Sequence, residues 1–469
     1  MSVSSHLAEL HDHFVESERA MPQESVSEVG DTVVSEASES EEVRRKKGLT
    51  ALRAATLGFF VDMYDVYLPV IALAPALVYF TPDNLSTTAQ TTLFYTIFAV
   101  SLIGRPLGAL VFGPLGDRIG RRKTTIISAA GFTVCTGLIA VLPGYGTWGL
   151  VPLVLLILLR LVDGMFLGGE YTAANPLAME YAPRAHRGLY GSIINTGYPA
   201  ALAVITVITI VTLKFFPAGS AGSAYAVWGW RIPFVIGFFL SAGVFLYYWK
   251  SVPESEMWLK AEKPSKPLRD LFSGANARSL GQVFIVMTGA WLTLNAVAGA
   301  VPGVLKTTLG VSAGWTNIVV LVGALIGVVL FPVVGMVGQR YGRRQTLIAL
   351  GVLNVLVTPV LYAIAVSSGY RSLGQLIVLL GVVQVSTLVV WSIVTAYITE
   401  SFPTSVRASG YGIGYSLASI IPAFYSYYML GLGHFMPYKY TQIVVLAVGG
   451  ACLALGAYIG PDNRAKDLG

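Results

Sequence analysis

The chain has little charge for its length. Of its 469 residues only 12% are Asp, Glu, Lys or Arg, whereas 54% are hydrophobic, and soluble domains are typically about a quarter charged. A water-soluble protein of this composition would expose large apolar patches and aggregate. A bilayer removes the conflict, because a spanning helix needs about 20 apolar residues and lipid accepts an apolar surface. The composition therefore predicts a membrane protein.

The residues and motifs that disulfide frameworks, metal sites and enzymes need are scarce in this sequence. The two cysteines, Cys135 and Cys452, fall inside apolar runs, which predicts packing roles and no disulfide framework. No histidine lies in an apolar run, so a proton that crosses the membrane part needs a carboxylate. The sequence has no Walker loop, no Cys/His metal set and no Ser-His-Asp arrangement. We therefore expect neither an enzyme nor a metal or cofactor site.

Apolar runs separated by Gly, Pro or charged residues predict twelve transmembrane helices and an all-α fold. The predicted spans are 53–80, 91–115, 124–142, 149–177, 188–213, 230–250, 281–303, 315–338, 345–366, 373–399, 408–430 and 440–460. Lys and Arg concentrate in alternate loops, and the positive-inside rule then places both termini in the cytoplasm. The net charge of +6 thus reflects topology and does not indicate nucleic acid.

Polar breaks predict the domain organisation. Residues 1–48 read as a disordered acidic cytoplasmic tail, because Ser and Glu recur there without an apolar run. A Lys-, Pro- and Glu-rich linker at 251–280 separates two six-helix bundles, at 49–250 and 281–460. Residues 461–469 form a short cytoplasmic tail. The basic segment 44–47 precedes the first span, where we expect it to face anionic lipid.

Two motifs recur at a nearly constant offset of about 220 residues. The segment 113–122, GPLGDRIGRR, matches 335–344, GMVGQRYGRR, at six of ten positions. Each follows the second helix of its half. A pair of Glu-x-x-Pro-x-x-x-Arg segments, Glu180 to Arg187 and Glu400 to Arg407, follows each fourth helix. Duplicated six-helix halves are the sequence trace of a pseudo-twofold transporter.

These segments resemble the signature of the major facilitator superfamily. The run RPLG-x-x-x-FG-x-x-GDR at 105–118 is similar to the metabolite:proton symporter branch, as are MYD at 63–65, GGE at 168–170, WRIPF at 230–234 and VRASG at 406–410. The segment PES-x-x-WL at 253–259 resembles the sugar-porter motif. The resemblance implies twelve helices in two pseudo-symmetric bundles, transport by alternating access, function as a monomer in a bacterial inner (plasma) membrane, and a first helix beside the fourth.

Charges inside predicted spans are costly at bilayer depth and indicate function. The six such residues all lie in the first half: Asp62, Asp65, Arg105, Arg160, Asp163 and Glu170. Since the resemblance places helix one beside helix four, we pair Asp65 with Arg160 as a proton-dependent switch; a fixed structural bridge is the alternative. Asp62, one turn from Asp65, and Asp163 and Glu170 on helix four form a ladder of acids that can pass a proton inward. The alternative, favoured for the last two, is that Asp163 neutralises Arg160 at i, i+3 and that Glu170 bonds to the backbone.

Arg105 bears on the substrate class. A planar guanidinium at the midplane binds a carboxylate bidentately better than it binds a neutral sugar. The alternative is that a neighbouring carbonyl or acid holds it. Further polar and aromatic residues at similar depth complete a candidate substrate cavity: Asn195, Tyr198, Trp291, Asn295, Gln384, Trp391 and Tyr415.

Charges at the inner helix ends form a candidate cytoplasmic gate. The resemblance implies that they close this side when the transporter faces outward. The set comprises Asp117, Arg121, Arg122, Glu180, Arg187, Arg343, Arg344, Glu400 and Arg407. Because partly exposed ion pairs are worth about 1 kcal/mol each, several together make a reversible gate. Gln339 replaces the acid of the first copy, so the second copy is expected to be weaker.

The sequence therefore predicts a secondary transporter whose partners are protons, a small carboxylate-bearing metabolite and the lipid bilayer. A monoanion or zwitterion is favoured over citrate-like molecules, because the second half has no membrane charges. A uniporter, a sugar symporter, a drug/proton antiporter and a transporter-like sensor remain as alternatives.

Overall fold

The computed structural model describes residues 23–82, 87–263, 266–299, 305, 311, 313–367, 372–464 and 468. The described residues contain helices and no strand. In chain order the long helices are α1 (Gln23–Tyr67, continued by a π turn at Leu68–Leu73 and a 3₁₀ helix at Ala74–Phe80), α2 (Thr87–Ile119), α3 (Arg121–Ala140), α4 (Val151–Tyr181), α5 (Arg187–Phe215), α6 (Arg231–Ser251), α7 (Gly274–Leu294, continued by a π turn at Asn295–Gly299), α8 (Ala313–Tyr341), α9 (Arg343–Leu356 and Thr358–Val366), α10 (Leu373–Leu388 and Trp391–Ser401), α11 (Arg407–Leu417, Ile420–Ala423 and Tyr425–Leu432) and α12 (Thr441–Ile459).

Eleven helices in the described residues are long and apolar enough to cross a membrane. The remaining predicted span, 408–430, corresponds to α11, which is divided into three shorter helices and so lacks one long unbroken run. Pro422 lies in the second of these pieces, and a proline removes a backbone hydrogen bond and interrupts a helix. Together the twelve helices confirm the predicted all-α, twelve-span architecture.

The chain divides into two compact units, Met1–Leu49 and Thr50–Gly469. In the first unit, residues 23–48 form the beginning of α1 and are helical, which differs from the predicted disordered tail. The Glu- and Ala-containing sequence favours a helix, and Glu42 pairs with Lys46 four residues on, at 2.7 Å. Residues 1–22 of that tail lie outside the described residues.

The internal repeat is visible in local geometry at the charged ends of the helices. Gly120 and Gly342 have φ of 111° and 108°, a backbone conformation that favours glycine. The arginine after each glycine donates to the carbonyl five residues earlier: Arg121 to Gly116 at 2.8 Å, and Arg343 to Gly338 at 3.3 Å. The two halves therefore build the same turn between their second and third helices.

Helices α2 and α4 pack with their backbones in close contact. A Cβ added at Gly108 would lie 2.0 Å from the Met165 carbonyl oxygen, and one at Gly168 would lie 2.4 Å from the Arg105 carbonyl oxygen. Gly164 meets the Ser101 carbonyl oxygen in the same way, at 2.3 Å. Gly164 and Gly168, four residues apart, thus form a close helix-packing face on α4. This close approach sets the distance between the two helices that carry Arg105 and Arg160.

Gly168→Ala is expected to destabilise the protein by about 1–3 kcal/mol, because its methyl group overlaps the backbone of α2. Gly381→Ala is the matched control, since a Cβ at that helical glycine meets nothing within 4 Å, and alanine favours a helix by up to about 1 kcal/mol. Thermal unfolding in detergent measures both. Equal unfolding temperatures for the two variants would contradict the packing argument.

Candidate functional site

Arg160 of α4 lies at the centre of a fully buried cluster. Its Nη1 donates to Asp65 Oδ1 at 2.6 Å, and its Nη2 donates to the Asp65 backbone oxygen at 3.2 Å. Its Nε donates to Ser101 Oγ at 3.0 Å, and Thr136 Oγ1 donates to the second oxygen of Asp65. The structure thus brings together the pair chosen from the sequence. It adds donors from α2 and α3 that the sequence analysis did not identify.

Asp163 belongs to the same cluster but is held differently. Its Oδ2 lies 3.2 Å from Arg160 Nη1, one turn away on α4. Neither of its oxygens accepts a hydrogen bond from the described residues, because the N–H groups of Arg160 point to Asp65 and Ser101. Its carboxyl group also faces that of Asp65. Two carboxyl groups can form a hydrogen bond with each other only when one of them carries a proton.

Arg105 of α2 forms a second, separate cluster. Its Nη2 donates to Asp62 Oδ1 at 2.5 Å, and both side chains are buried. The guanidinium also lies over the Tyr171 ring, 5.4 Å from the ring centre. Asp62 was expected to continue the ladder of acids from Asp65, and Arg105 was expected to be open to substrate. In the structure these two residues are paired with each other. Asp62 and Asp65 are about one turn apart on the same face of α1, yet Asp62 pairs with Arg105 of α2 and Asp65 pairs with Arg160 of α4.

The Glu170 side chain of α4 contacts α1 at Gly58, about one turn before Asp62. A Cβ at Gly58, four residues before Asp62, would lie 2.2 Å from Glu170 Oε1. The Glu170 side chain is fully buried, and neither of its oxygens accepts a hydrogen bond from the described residues. The Tyr248 hydroxyl, near the same glycine, is also without a hydrogen-bond partner there. Gly58 is the residue whose small size admits this acid between the helices.

A central cavity opens between the two halves. Six helices contribute to its wall: α1, α2, α5, α7, α10 and α11. The lining residues are Phe59, Met63, Val66, Tyr67, Leu102, Arg105, Asn195, Tyr198, Trp291, Leu294, Asn295, Trp391 and Tyr415. Arg105 is the charged residue in this wall, and the rest of the wall is mostly apolar or aromatic. Such a wall binds a small molecule with an apolar body and one anionic group.

Of the eight residues predicted to contact substrate, Gln384 lies elsewhere. Its amide donates to the Val320 carbonyl oxygen at 3.2 Å and packs against Gly323 of α8. In an unbroken helix, seven residues would place Gln384 on the face of Trp391. In the structure the Gln384 side chain packs against α8, whereas Trp391 lines the cavity.

Several polar groups of the cavity wall already have protein partners. Asn195 Nδ2 donates to the Trp391 carbonyl oxygen at 2.5 Å, and Trp291 Nε1 donates to the Tyr415 carbonyl oxygen at 3.0 Å. The Tyr67 hydroxyl donates to that of Tyr198 at 3.0 Å. Trp391 Nε1 is buried and has no hydrogen-bond partner among the described residues. The apolar lining residues were not predicted, because nothing in the sequence separates them from ordinary packing residues.

The charged ends of the helices join the two halves. Asp117 of α2 accepts hydrogen bonds from the backbone N–H groups of Ala408 and Ser409, at 3.1 and 3.0 Å, at the start of α11. Glu180 of α4 pairs with Arg407 Nη1 at 2.7 Å and with Arg121 Nη2 at 3.5 Å. Because these contacts cross from the first half to the second, this end of the molecule is closed in the present conformation.

The second copy of the motif makes a similar link without a charge. Gln339 Oε1 accepts a hydrogen bond from the Gly188 backbone N–H at 3.0 Å, and Gln339 Nε2 donates to the Arg184 carbonyl oxygen at 3.2 Å. Arg343 joins Glu400 through two hydrogen bonds of 2.9 and 2.8 Å within the second half. The amide thus occupies the same position at the start of α5 that Asp117 occupies at the start of α11.

Arg122 and Arg344 differ from the gate expectation. Arg122 donates to the Val252 and Trp249 carbonyl oxygens at the end of α6, at 2.7 and 2.6 Å. Arg344 donates to the Tyr458 carbonyl oxygen at the end of α12, at 2.6 Å. These contacts lie within one half and cap a helix end, because a helix leaves its last carbonyl groups without partners. Arg187 is buried near Glu400.

Glu254 was missing from the predicted gate set. It accepts hydrogen bonds from the Arg121 and Arg122 backbone N–H groups, at 3.1 and 3.2 Å, and so caps α3. Burial raises the pKa of the Glu254 carboxyl group, and the backbone N–H groups of Ser255 and Arg122 oppose that shift. Ser255, the next residue, donates to Glu180. The PES segment after the sixth helix, which contains Glu254, is the sequence feature from which this role could have been predicted.

Comparison with known proteins identifies the family. The model of the Major Facilitator Superfamily matches residues 55–426 and 283–467. The chain belongs to the Major Facilitator Superfamily. It is 30% identical over 390 residues to the inner membrane metabolite transport protein YhjE of Escherichia coli (79% of this chain, 84% of that protein). The chain is therefore a multi-pass membrane transporter, and the predicted family is confirmed.

Other relatives in this superfamily are named for particular substrates. The chain is 29% identical to the alpha-ketoglutarate permease of Escherichia coli (81% of this chain, 86% of that protein). It is also 29% identical to the citrate-proton symporter of Salmonella typhi (79% and 84%). The structure of the proton:xylose symporter XylE bound to 6-bromo-6-deoxy-D-glucose has a TM-score of 0.72 at 19% identity, covering 91% of this chain and 98% of that one. That likeness shows the fold.

Glu180→Gln is expected to open the charged end of this facilitator, because Arg407 loses the carboxylate that holds it across the halves. Removing one partner of a buried pair costs about 3–5 kcal/mol, and opening lets water reach the freed guanidinium. A cysteine at Leu102 in the cavity wall, in a background without Cys135 and Cys452, should react faster with a maleimide applied from the charged side. Glu262→Gln, at an exposed acid of the linker, is the control. Unchanged labelling in Glu180→Gln would argue against the gate.

Proposed function

We propose that this protein is a proton-coupled symporter for a small organic acid, or for another metabolite that bears one carboxylate. The observation that carries the proposal is the position of Arg105, a buried guanidinium in the wall of a mostly apolar cavity between the two halves. A planar guanidinium there favours a carboxylate over a neutral hydroxylated ligand. Relatives named for alpha-ketoglutarate and citrate support a carboxylate substrate.

The coupling site is the Asp65–Arg160 pair. With Asp65 ionised, Arg160 holds α1 against α4 through contacts of 2.6 and 3.2 Å. Protonation of Asp65 weakens this contact and lets the first bundle change its packing, which is the step that alternating access needs. Asp163 and Glu170, both buried without hydrogen-bond partners among the described residues, are the further proton-carrying groups. The relative named a citrate-proton symporter supports proton coupling.

The charged end is proposed to face the cytoplasm, as the distribution of Lys and Arg predicts. The present conformation, closed there by Asp117, Glu180 and Arg407, is then outward-facing or occluded. Both termini lie on the cytoplasmic side of a bacterial inner membrane, the protein works as a monomer, and the surrounding bilayer is its other partner. The large exposed apolar side chains, among them Val134, Leu158 and Val329, suit contact with lipid.

A sugar symporter is the second candidate, because the fold matches that of a proton:xylose symporter. The mostly apolar lining argues against it, since a sugar needs several hydrogen-bonding groups and the Asn195 and Trp291 side chains already bond to the backbone. A drug antiporter and a ligand-binding sensor remain as outcomes of the transport test.

Purified protein in vesicles should accumulate a carboxylate against its gradient when an inward proton gradient is imposed. The panel comprises labelled lactate, benzoate, proline, alpha-ketoglutarate, citrate and xylose. We expect uptake of at least one monocarboxylate or zwitterion, and loss of accumulation when an uncoupler is added. Uptake of xylose alone, or uptake that ignores the proton gradient, contradicts the proposal; binding without flux indicates a sensor.

Asp65→Asn should lose uphill accumulation of the transported acid and keep exchange of labelled for unlabelled acid. The amide preserves the shape of the side chain but neither takes up nor releases a proton, so the conformational change continues while coupling fails. Asp270→Asn, at an exposed acid of the linker, is the control and should transport like the unmodified protein. Full concentrative uptake by Asp65→Asn removes this residue from the coupling site.

A further inference from the structure

The Arg105–Asp62 pair places a proton-accepting group directly against the cavity's guanidinium. Arg105 lines the cavity, whereas Asp62 is absent from its wall and is fully buried behind the arginine. One oxygen of Asp62 accepts from Arg105 at 2.5 Å, and the other has no hydrogen-bond partner among the described residues. In this state the charge of Arg105 is already balanced before any substrate enters.

The buried charges inside the spans of the first half can be balanced only if some acids are neutral. Two guanidinium groups, on Arg105 and Arg160, face the carboxyl groups of four acids: Asp62, Asp65, Asp163 and Glu170. With all four ionised, the described core would carry an excess negative charge at bilayer depth, which is costly. Asp163 and Glu170 are the two whose oxygens accept no hydrogen bond there. If these two carry protons, Asp62 and Asp65 balance the two arginines and the core is neutral.

We infer that Asp62 is the proton site that controls substrate binding: a carboxylate binds Arg105 only when Asp62 takes up a proton. This inference rests on the proposed function and assigns substrate-linked protonation to Asp62, separately from the conformational switch at Asp65 and Arg160. A carboxylate that enters alone leaves the core with an unbalanced negative charge beside Asp62. A carboxylate that enters together with one proton keeps the buried core neutral, so the anion and the proton enter as a pair.

Bonds and charges balance in this exchange. Asp62 Oδ1 gives up the hydrogen bond from Arg105 Nη2, and its carboxylate takes up a proton that the aqueous solution supplies as hydronium. The freed N–H donates to the carboxylate of the substrate. The step needs no large movement, because Arg105 already lines the cavity and is steadied by the Tyr171 ring at 5.4 Å.

The groups around Asp62 are either paired or neutral, so Asp62 is the acid whose protonation responds to substrate. Those that interact with it electrostatically are Asp65 on α1, Arg105 on α2, Asp163, Glu170 and Tyr171 on α4, and Tyr415 on α11. Asp65 already accepts hydrogen bonds from Arg160 and Thr136 and forms no ion pair with Arg105. The two tyrosines are ordinarily neutral near physiological pH. Asp62 is thus the ionised acid in direct contact with the arginine of the cavity.

The first test measures proton uptake by the unmodified protein when benzoate, lactate or proline is added in weakly buffered detergent solution. A pH-indicator dye should report about one proton taken up for each anion bound, with binding followed by the fluorescence of Trp291 and Trp391 in the cavity wall. Anion binding without proton uptake overturns this inference and leaves an anion transporter in place. If none of the acids in the transport panel binds or moves, the proposed function itself fails.

The second test compares Asp62→Asn with Asp65→Asn. In the unmodified protein, affinity for the anion should fall by about tenfold per pH unit on the alkaline side of the Asp62 titration. Asp62→Asn should bind with an affinity that no longer depends on pH, because the amide never carries the negative charge. Asp65→Asn should keep the pH dependence of binding, because Asp62 is unchanged; its accumulation fails at the conformational step, where the amide lets the carrier reorient without substrate. Retention of the slope in Asp62→Asn, or its loss in Asp65→Asn, assigns the linked proton to another group.

Infrared difference spectroscopy tests the same protonation in the unmodified protein, and so does not depend on the folding of Asp62→Asn. Adding benzoate to the unmodified protein should produce a new carbonyl band of a protonated carboxylic acid, which shifts in heavy water. The band should persist in Asp65→Asn. Its absence from the unmodified protein contradicts the inference without any variant.

Discussion

The burial of two guanidinium groups in the first bundle is the constraint on which the site depends. Arg105 and Arg160 are 3% and 0% exposed, and a buried charge is tolerated only with a carboxylate and hydrogen bonds around it. The glycines of α2 and α4 bring these helices into backbone contact, and so hold each arginine within reach of α1. Each arginine then has its own aspartate, at 2.5 Å for Asp62 and 2.6 Å for Asp65.

In the proposed mechanism the two arginine clusters have different roles, one in substrate binding and one in conformational change. Arg105 faces the cavity, where it can exchange Asp62 for a substrate carboxylate. Arg160 lies away from the cavity wall and ties α1, α2 and α3 together through Asp65, Ser101 and Thr136. In the proposed mechanism, a proton on Asp62 changes what binds at Arg105, and a proton on Asp65 changes how the helices pack. This separation allows substrate and conformational change to be linked through one small region.

The closed end uses short-range contacts that can be remade in every cycle. Asp117 and Gln339 each accept a backbone N–H at the start of a helix of the opposite half, and such helix starts favour acceptors and negative charge. The amide at Gln339 keeps the hydrogen bond but not the charge. The two pseudo-symmetric contacts therefore share a geometry and differ in charge.

The sequence by itself determined the class of the molecule: its apolar runs, the repeat at about 220 residues and the six charges inside spans identify a two-bundle transporter. It also led to Asp65 with Arg160, through the resemblance. It did not assign Asp62 to Arg105, exclude Gln384 or find the apolar lining. Those depend on how helices are rotated and interrupted, and the Asp62–Arg105 contact joins residues 43 apart in the chain. Helical periodicity shows which residues share a face, but only the packing of helices decides which faces meet.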